Sequence, residues 1–107
     1  MQRIAMLLKI RSGKKNDYIE VHKNVWPEIL KALKESNIHN NSTFVNEDLL
    51  FMYLEYNGND FPTDWKKYGE NPKVMEWFSI LKNYLEPYEQ PVPPFKWSIL
   101  QEAFHID

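Results

Sequence analysis

Residues 49–56 read LLFMYLEY, an apolar run without helical spacing, and a second strand-type run, IHNNSTFV at 38–45, stands just before it across Asn46-Glu47-Asp48. Two such runs joined by a tight turn make an antiparallel hairpin. The later run is the more apolar, which predicts the more central place in a sheet. Asn57-Gly58-Asn59-Asp60 then ends the hairpin with turn chemistry.

The segments on either side of the hairpin complete the pattern. Residues 3–10, RIAMLLKI, form another strand-type run, stopped by Arg11-Ser12-Gly13-Lys14. From Lys15 to about Ser36 the spacing turns helical, with Ile19, Trp26, Ile29, Leu30 and Leu33 recurring at threes and fours. Pro27 lacks an amide hydrogen and crowds the preceding turn, so a kink or break is expected near 24–26. After the hairpin, Pro62-Thr63-Asp64 opens a short helix. Asn71-Pro72 opens another, predicted to run to about Leu85 with Val74, Trp77, Phe78, Ile80, Leu81 and Leu85 as its apolar positions. Pro87, Pro91, Pro93 and Pro94 predict a stiff, extended connector over 86–95. Residues 96–106, KWSILQEAFHI, read as the last strand.

The predicted order is β-α-β-β-α-β with the second helix split. This is the α+β, ferredoxin-like split βαβ arrangement, in one domain spanning 1–107. Right-handed crossovers put both helical segments on one face of the sheet. The other face is left with Leu, Met, Phe and Trp side chains and no helix over it. A small chain rarely leaves such a face in water, so a homodimer packed sheet to sheet is expected.

Composition removes several kinds of function. The formal net charge is −2 with acids and bases interspersed, so no basic stripe follows phosphates and nucleic acid is not an expected partner. There is no cysteine, which excludes disulfides and thiolate catalysis. The apolar run near the start extends only from Ile4 to Leu8. It is too short to span a bilayer and lacks a signal-peptide cleavage site, which predicts a cytoplasmic protein with no membrane partner. Neither a glycine-rich phosphate loop nor metal-spaced Cys and His residues occur, so no metal site is expected. Aromatic residues, at 15%, are abundant and suit a small core, a sugar site or a subunit interface alike.

The residues left to carry chemistry are His, Tyr, Asn and Trp. Tyr18 and His22 stand four apart in a helical segment and so share a face, and Trp26 continues the line. A histidine there suits proton transfer because its pKa lies near neutrality, although a surface or capping histidine beside a core tyrosine fits the same spacing. His39, Asn40 and Asn41 open the second strand, and alternation sends Asn40 to one face and the other two to the opposite one. Asparagine is disfavoured in strands, so the pair reads either as hydroxyl recognition or as strand-end turn bonding. Trp77 and Phe78 lie about 100° apart on their helix and are both partly inward, as core packing or as an aromatic wall against a sugar. Gln101 and Glu102 face opposite sides of an apolar segment, where the charge calls for a partner.

Taken together these residues resemble the L-rhamnose mutarotase family across nearly the whole chain. The resemblance rests on Tyr18 and His22 followed by Val25-Trp26-Pro27-Glu28, on His39-Asn40, Leu49-Leu50-Phe51 and Trp77, and on Leu100-Gln101-Glu102-Ala103-Phe104. It implies a dimeric α+β barrel without cofactor that interconverts the α and β anomers of a free monosaccharide, L-rhamnose. It implies His22 as proton donor and Tyr18 and Trp77 as sugar-binding residues; Asn40 is expected to bond a sugar hydroxyl, and Asn41 and Phe78 are expected to contact the substrate at the positions where this chain differs. Two positions depart from the family pattern. Asn41 stands where a sugar-binding tyrosine is expected, and Phe78 where a second tryptophan is expected. Both changes bear on sugar preference and leave a related 6-deoxy sugar such as L-fucose as an alternative. A cofactor-free monooxygenase-like protein and a non-catalytic dimeric module are the rival readings of the same fold.

Overall fold

The computed structural model describes residues 1–88 and 97–107. Its elements run β1 (Gln2–Ile10), α1 (Lys15–Val21), a 3₁₀ turn (His22–Asn24), α2 (Pro27–Glu35), β2 (Ile38–Asn46), β3 (Leu49–Tyr56), α3 (Phe61–Glu70), α4 (Pro72–Leu81), β4 (Leu85–Glu86) and β5 (Ser98–Ile99). The sheet is antiparallel in order β2-β3-β1, with β4 and β5 sharing the far edge of β1. This is the ferredoxin-like order, and the apolar strand β3 lies inside the sheet as its composition predicts.

Alternation along the two central strands separates the faces. Ile4, Met6, Leu8 and Ile10 of β1 and Leu50, Met52, Leu54 and Tyr56 of β3 are all buried. They form one core with Ile29 and Ala32 of α2 and Val74, Trp77 and Leu81 of α4. The opposite face carries Leu7, Phe51 and Tyr53, which are half-buried, and Phe44, which is 57% exposed. The rings of Phe44 and Phe51 lie 6.2 Å apart on it.

Proline and its neighbours cut the helices where the sequence suggests. Pro27, Pro62 and Pro72 each stand at the first or second position of a helix. Val25 and Trp26 are extended, so the expected break near 24–26 is a 3₁₀ turn followed by a bend. Asn71 is extended too, as a residue before proline must be, and so ends α3. Its side chain also starts α4 by accepting from the amides of Lys73 (2.9 Å) and Val74 (3.3 Å). Asp60 caps α3 in the same way through Thr63.

Two boundaries differ from expectation. The last helix ends at Leu81, and Leu85 belongs instead to β4, opposite Ile10. Leu85 is buried in either arrangement, so apolar spacing could not separate them, whereas the free edge of β1 supplies backbone partners that a longer helix could not use. The last strand is not 96–106 but Ser98–Ile99, opposite Leu7 and Met6. Beyond the bond from the Leu100 amide to the Ala5 carbonyl (2.8 Å), the chain leaves the sheet. Glu102 finds the partner its charge demands in Arg3, at 3.0 Å. Phe104 and Ile106 remain 81% and 77% exposed. Most of the stiff connector expected at 86–95 lies outside the described residues.

Gly58 is held by close approach. A Cβ there would collide with the Tyr56 hydroxyl and the Asp64 carboxylate, the pair whose hydrogen bond (2.5 Å) ties β3 to α3. Asn71→Ala should cost about 1 kcal/mol, the usual worth of an N-cap. Gly58→Ala should cost more, because the clash must displace that pair. Urea midpoints measure both, and a Gly58→Ala midpoint at or above that of Asn71→Ala would show that the turn yields freely.

Candidate functional site

Between the helices and the sheet lies a cavity of about 350 Å³. Its walls come from every layer of the fold: Tyr18 and His22 from the first helical segment, Ile29 and Lys34 from α2, His39, Asn41 and Thr43 from β2, Trp65 and Tyr68 from α3, Trp77 and Phe78 from α4, and Trp97 beside β5. Most of the lining is apolar or aromatic, with a few polar groups converging on it, the usual make-up of a small-molecule site.

His22 sits at the joint where α1 tightens into the 3₁₀ turn. The amides closing α1 donate to the carbonyls of Ile19 and Glu20. The Tyr18 carbonyl accepts from the imidazole, with Nδ1 at 2.8 Å. A carbonyl can only accept, so Nδ1 carries the hydrogen and the neutral ring keeps its lone pair on Nε2. Burial holds the His22 pKa below the ordinary imidazole value of 6.5, against the smaller opposing effect of the Tyr18 carbonyl. The ring is therefore poised as a base at neutral pH.

Aromatic contacts fix that ring on both sides. The Tyr18 ring lies 4.1 Å from it, centroid to centroid. Trp77 meets it edge-on at 5.5 Å, and Trp26 meets Trp77 edge-on at 5.2 Å. Burial raises the pKa of both the Tyr18 and the Tyr68 phenols above the usual range, so each stays protonated and can donate a hydrogen bond. Among the described residues no hydrogen bond engages the Tyr18 hydroxyl.

Of the six residues expected to act on or contact the substrate, five, Tyr18, His22, Asn41, Trp77 and Phe78, line this one cavity, and His39 joins them. Asn40 does not, which corrects its expected place. It pairs with Glu55, and its Oδ1 accepts from Ser42 Oγ at 2.9 Å on the face away from the helices. The cause is alternation after an irregularity between Ile38 and Asn40, which sends Asn41 and Thr43 inward and Asn40 and Ser42 outward. Sequence reasoning missed Thr43, Trp65, Tyr68 and Trp97. Thr43 was recoverable by stepping two residues from Asn41; the three aromatics looked like core, and they are core as well as wall.

Comparison with known proteins finds one family across nearly the whole chain. The family model for L-rhamnose mutarotase matches residues 3–106. The L-rhamnose mutarotase of Oceanobacillus iheyensis is 27% identical, covering 100% of both chains. The crystal structure of L-rhamnose mutarotase from Formosa agariphila superposes with a TM-score of 0.78 at 23% identity, covering 100% of both chains. Tetracenomycin F2 cyclase from Streptomyces glaucescens shares the fold at a TM-score of 0.68 and 16% identity, again over 100% of both chains. Likenesses at such low identity speak for the fold alone, and the family assignment rests on the model that spans nearly every residue: this chain belongs to the L-rhamnose mutarotase family.

Proposed function

We propose that the protein is a mutarotase that interconverts the α and β anomers of a free 6-deoxy-L-hexose, L-rhamnose first among them, with His22 as the proton-transfer residue. The observation that carries the reading is the His22 imidazole, tied through Nδ1 to the Tyr18 carbonyl and held between Tyr18 and Trp77 in the cavity wall. Mutarotation needs no redox step. A base takes the proton of the anomeric hydroxyl, the bond from C1 to the ring oxygen breaks, and the ring oxygen gains a proton. The aldehyde turns about C1–C2 and closes on its other face by the reverse transfers. One imidazole is thus base in opening and donor in closing. The aromatic wall suits a sugar whose methyl group enlarges its apolar face.

Within this reading Tyr18 and Trp77 hold the sugar, and Asn41 and Phe78 adjust which sugar is held. Asn41 offers an amide where the family pattern has a phenol, and Phe78 keeps an apolar wall but offers no donor. Buried hydrogen-bonding groups discriminate between epimers far more strongly than apolar contacts do. The helix-free face, with Leu7, Phe44 and Phe51, is the surface on which two copies would meet in the proposed homodimer.

His22→Ala should keep the fold and lower catalysed anomer exchange on L-rhamnose by on the order of 10²-fold or more, read by saturation-transfer NMR. Near-normal exchange would remove His22 from the chemistry. In the native enzyme the base is neutral His22, and its pKa is lowered, so the acid limb of kcat/KM should be centred below the ordinary value of 6.5. An acid limb centred above 6.5 would contradict the buried base. The double substitution Asn41→Tyr with Phe78→Trp should raise the ratio of L-rhamnose to L-fucose exchange rates; an unchanged ratio would mean that these positions do not set preference. Sedimentation at micromolar concentration should show a dimer, and a stable monomer would count against the sheet-to-sheet pairing.

A further inference from the structure

Opening the hemiacetal moves two protons at once in effect, one off the anomeric oxygen and one onto the ring oxygen. A base at one without an acid at the other leaves an alkoxide on the ring oxygen. His22 has one nitrogen for the task, because its Nδ1 hydrogen is committed to the Tyr18 carbonyl. The second proton needs a group that can give and later recover it, and imidazole is the side chain that exchanges its proton readily near neutral pH.

The cavity contains a second imidazole. The chain has three histidines. His105 lies in the terminal segment and bonds to Asp107 at 2.8 Å. His22 and His39 both line the cavity, and they do so from opposite layers, one from the helical side and one from the sheet. His39 owes its place to an irregular ladder. Ile38 pairs with Tyr56 and Asn40 pairs with Glu55, so His39 is the residue in excess, opposite no partner of its own. A bulge of this kind re-aims a side chain and is common beside active sites. Asn37, just before it, adopts the left-handed conformation at φ 66° and anchors the strand end by accepting from the Asn57 amide at 2.9 Å. His39 is exposed, which lets it trade protons with water, and no described residue holds its ring in a hydrogen bond. The buried phenols of Tyr18 and Tyr68 can donate hydrogen bonds but hold their protons firmly. Of the Lys, Arg, Asp and Glu side chains among the described residues, Lys34 alone lines the cavity.

We propose that His39 is the second proton-transfer residue of this site, protonating the ring oxygen as His22 Nε2 takes the anomeric proton, and recovering it as the ring recloses. The proposal rests on the mutarotase reading above. The steps balance: in opening, His22 gains a proton and His39 loses one while the C1–ring oxygen bond becomes an aldehyde and a hydroxyl. Closure returns both histidines to their starting states.

The test compares wild type, His22→Ala, His39→Gln and His39→Ala on L-rhamnose by saturation-transfer NMR across pH. Circular dichroism melts confirm that the exposed position leaves the fold intact. Both His39 variants should lose on the order of 10²-fold in kcat, with KM little changed and one limb of the kcat pH profile gone. Free imidazole should restore part of the exchange to His39→Ala. Undiminished kcat overturns the proposal. So does a rise in KM at constant kcat, which would make His39 a hydroxyl-binding residue only. A loss of kcat that imidazole does not rescue, with the pH profile intact, overturns it as well. If wild type exchanges, His22→Ala does not and the His39 variants do, this inference alone fails. If wild type exchanges none of the free 6-deoxyhexoses, the mutarotase reading fails and takes this one with it.

Discussion

The break at Pro27 is the constraint on which the cavity depends. An unbroken helix from Lys15 to Ser36 would carry one straight apolar stripe and lie along the sheet with its side chains packed down against it. Pro27 cannot donate its amide and forces Trp26 out of helical geometry. The segment instead becomes two short helices with a 3₁₀ turn and two extended residues between them. His22 falls in that joint, where its ring can turn back onto the Tyr18 carbonyl. Trp26, at the bend, reaches Trp77 on α4 and closes the line of rings that holds the imidazole.

The opposite wall depends on a second local irregularity. In a regular strand a slip of one residue exchanges the faces completely. The excess residue at the start of β2 makes that slip inside the strand, and Asn41, Thr43 and Val45 thereafter oppose the buried Leu54, Met52 and Leu50. Phe44 is thereby sent to the helix-free face, where it meets Phe51. The polar lining of the cavity and the apolar composition of the outer face are therefore set by the same extra residue.

Much of this was legible in the sequence because it rests on local chemistry. Proline fixes helix starts at 27, 62 and 72 wherever the chain goes next, and the turn residues at 46–48 and 57–60 fix the hairpin. The i,i+4 spacing put Tyr18 and His22 together, and the same logic placed both Trp77 and Phe78 inward. What was not legible rests on competition for a shared edge. β1 offers one free side, and whether Leu85 extends a helix or pairs there depends on backbone partners brought from 75 residues away in sequence, Ile10 to Leu85. The run 96–106 has strand composition along its whole length, yet among its described residues the strand on that edge is confined to Ser98–Ile99. Asn40 illustrates a third limit: alternation separated it correctly from Asn41, but which face held the cavity was a tertiary fact.

The aromatic residues show why composition could not divide core from site. Tyr56, Phe61, Trp65 and Tyr68 form a continuous chain of ring contacts at centroid spacings of 5.2, 5.5 and 5.3 Å, edge-on at the first and stacked at the other two. Its first member is fully buried beneath the sheet face, and its last two line the cavity. Tyr18, His22, Trp77 and Trp26 form a second run from the other side. Rings that bury large areas also hold each other at fixed angles, so the same contacts that stabilise a small domain keep the imidazole in one orientation. A chain of this size has too little interior to separate the two tasks. Replacing Trp77 would remove core volume and the edge that positions His22 in one step. The outer pair of the lining, Asn41 and Phe78, is less deeply buried, and that is where the cavity can change its chemistry without loosening the core.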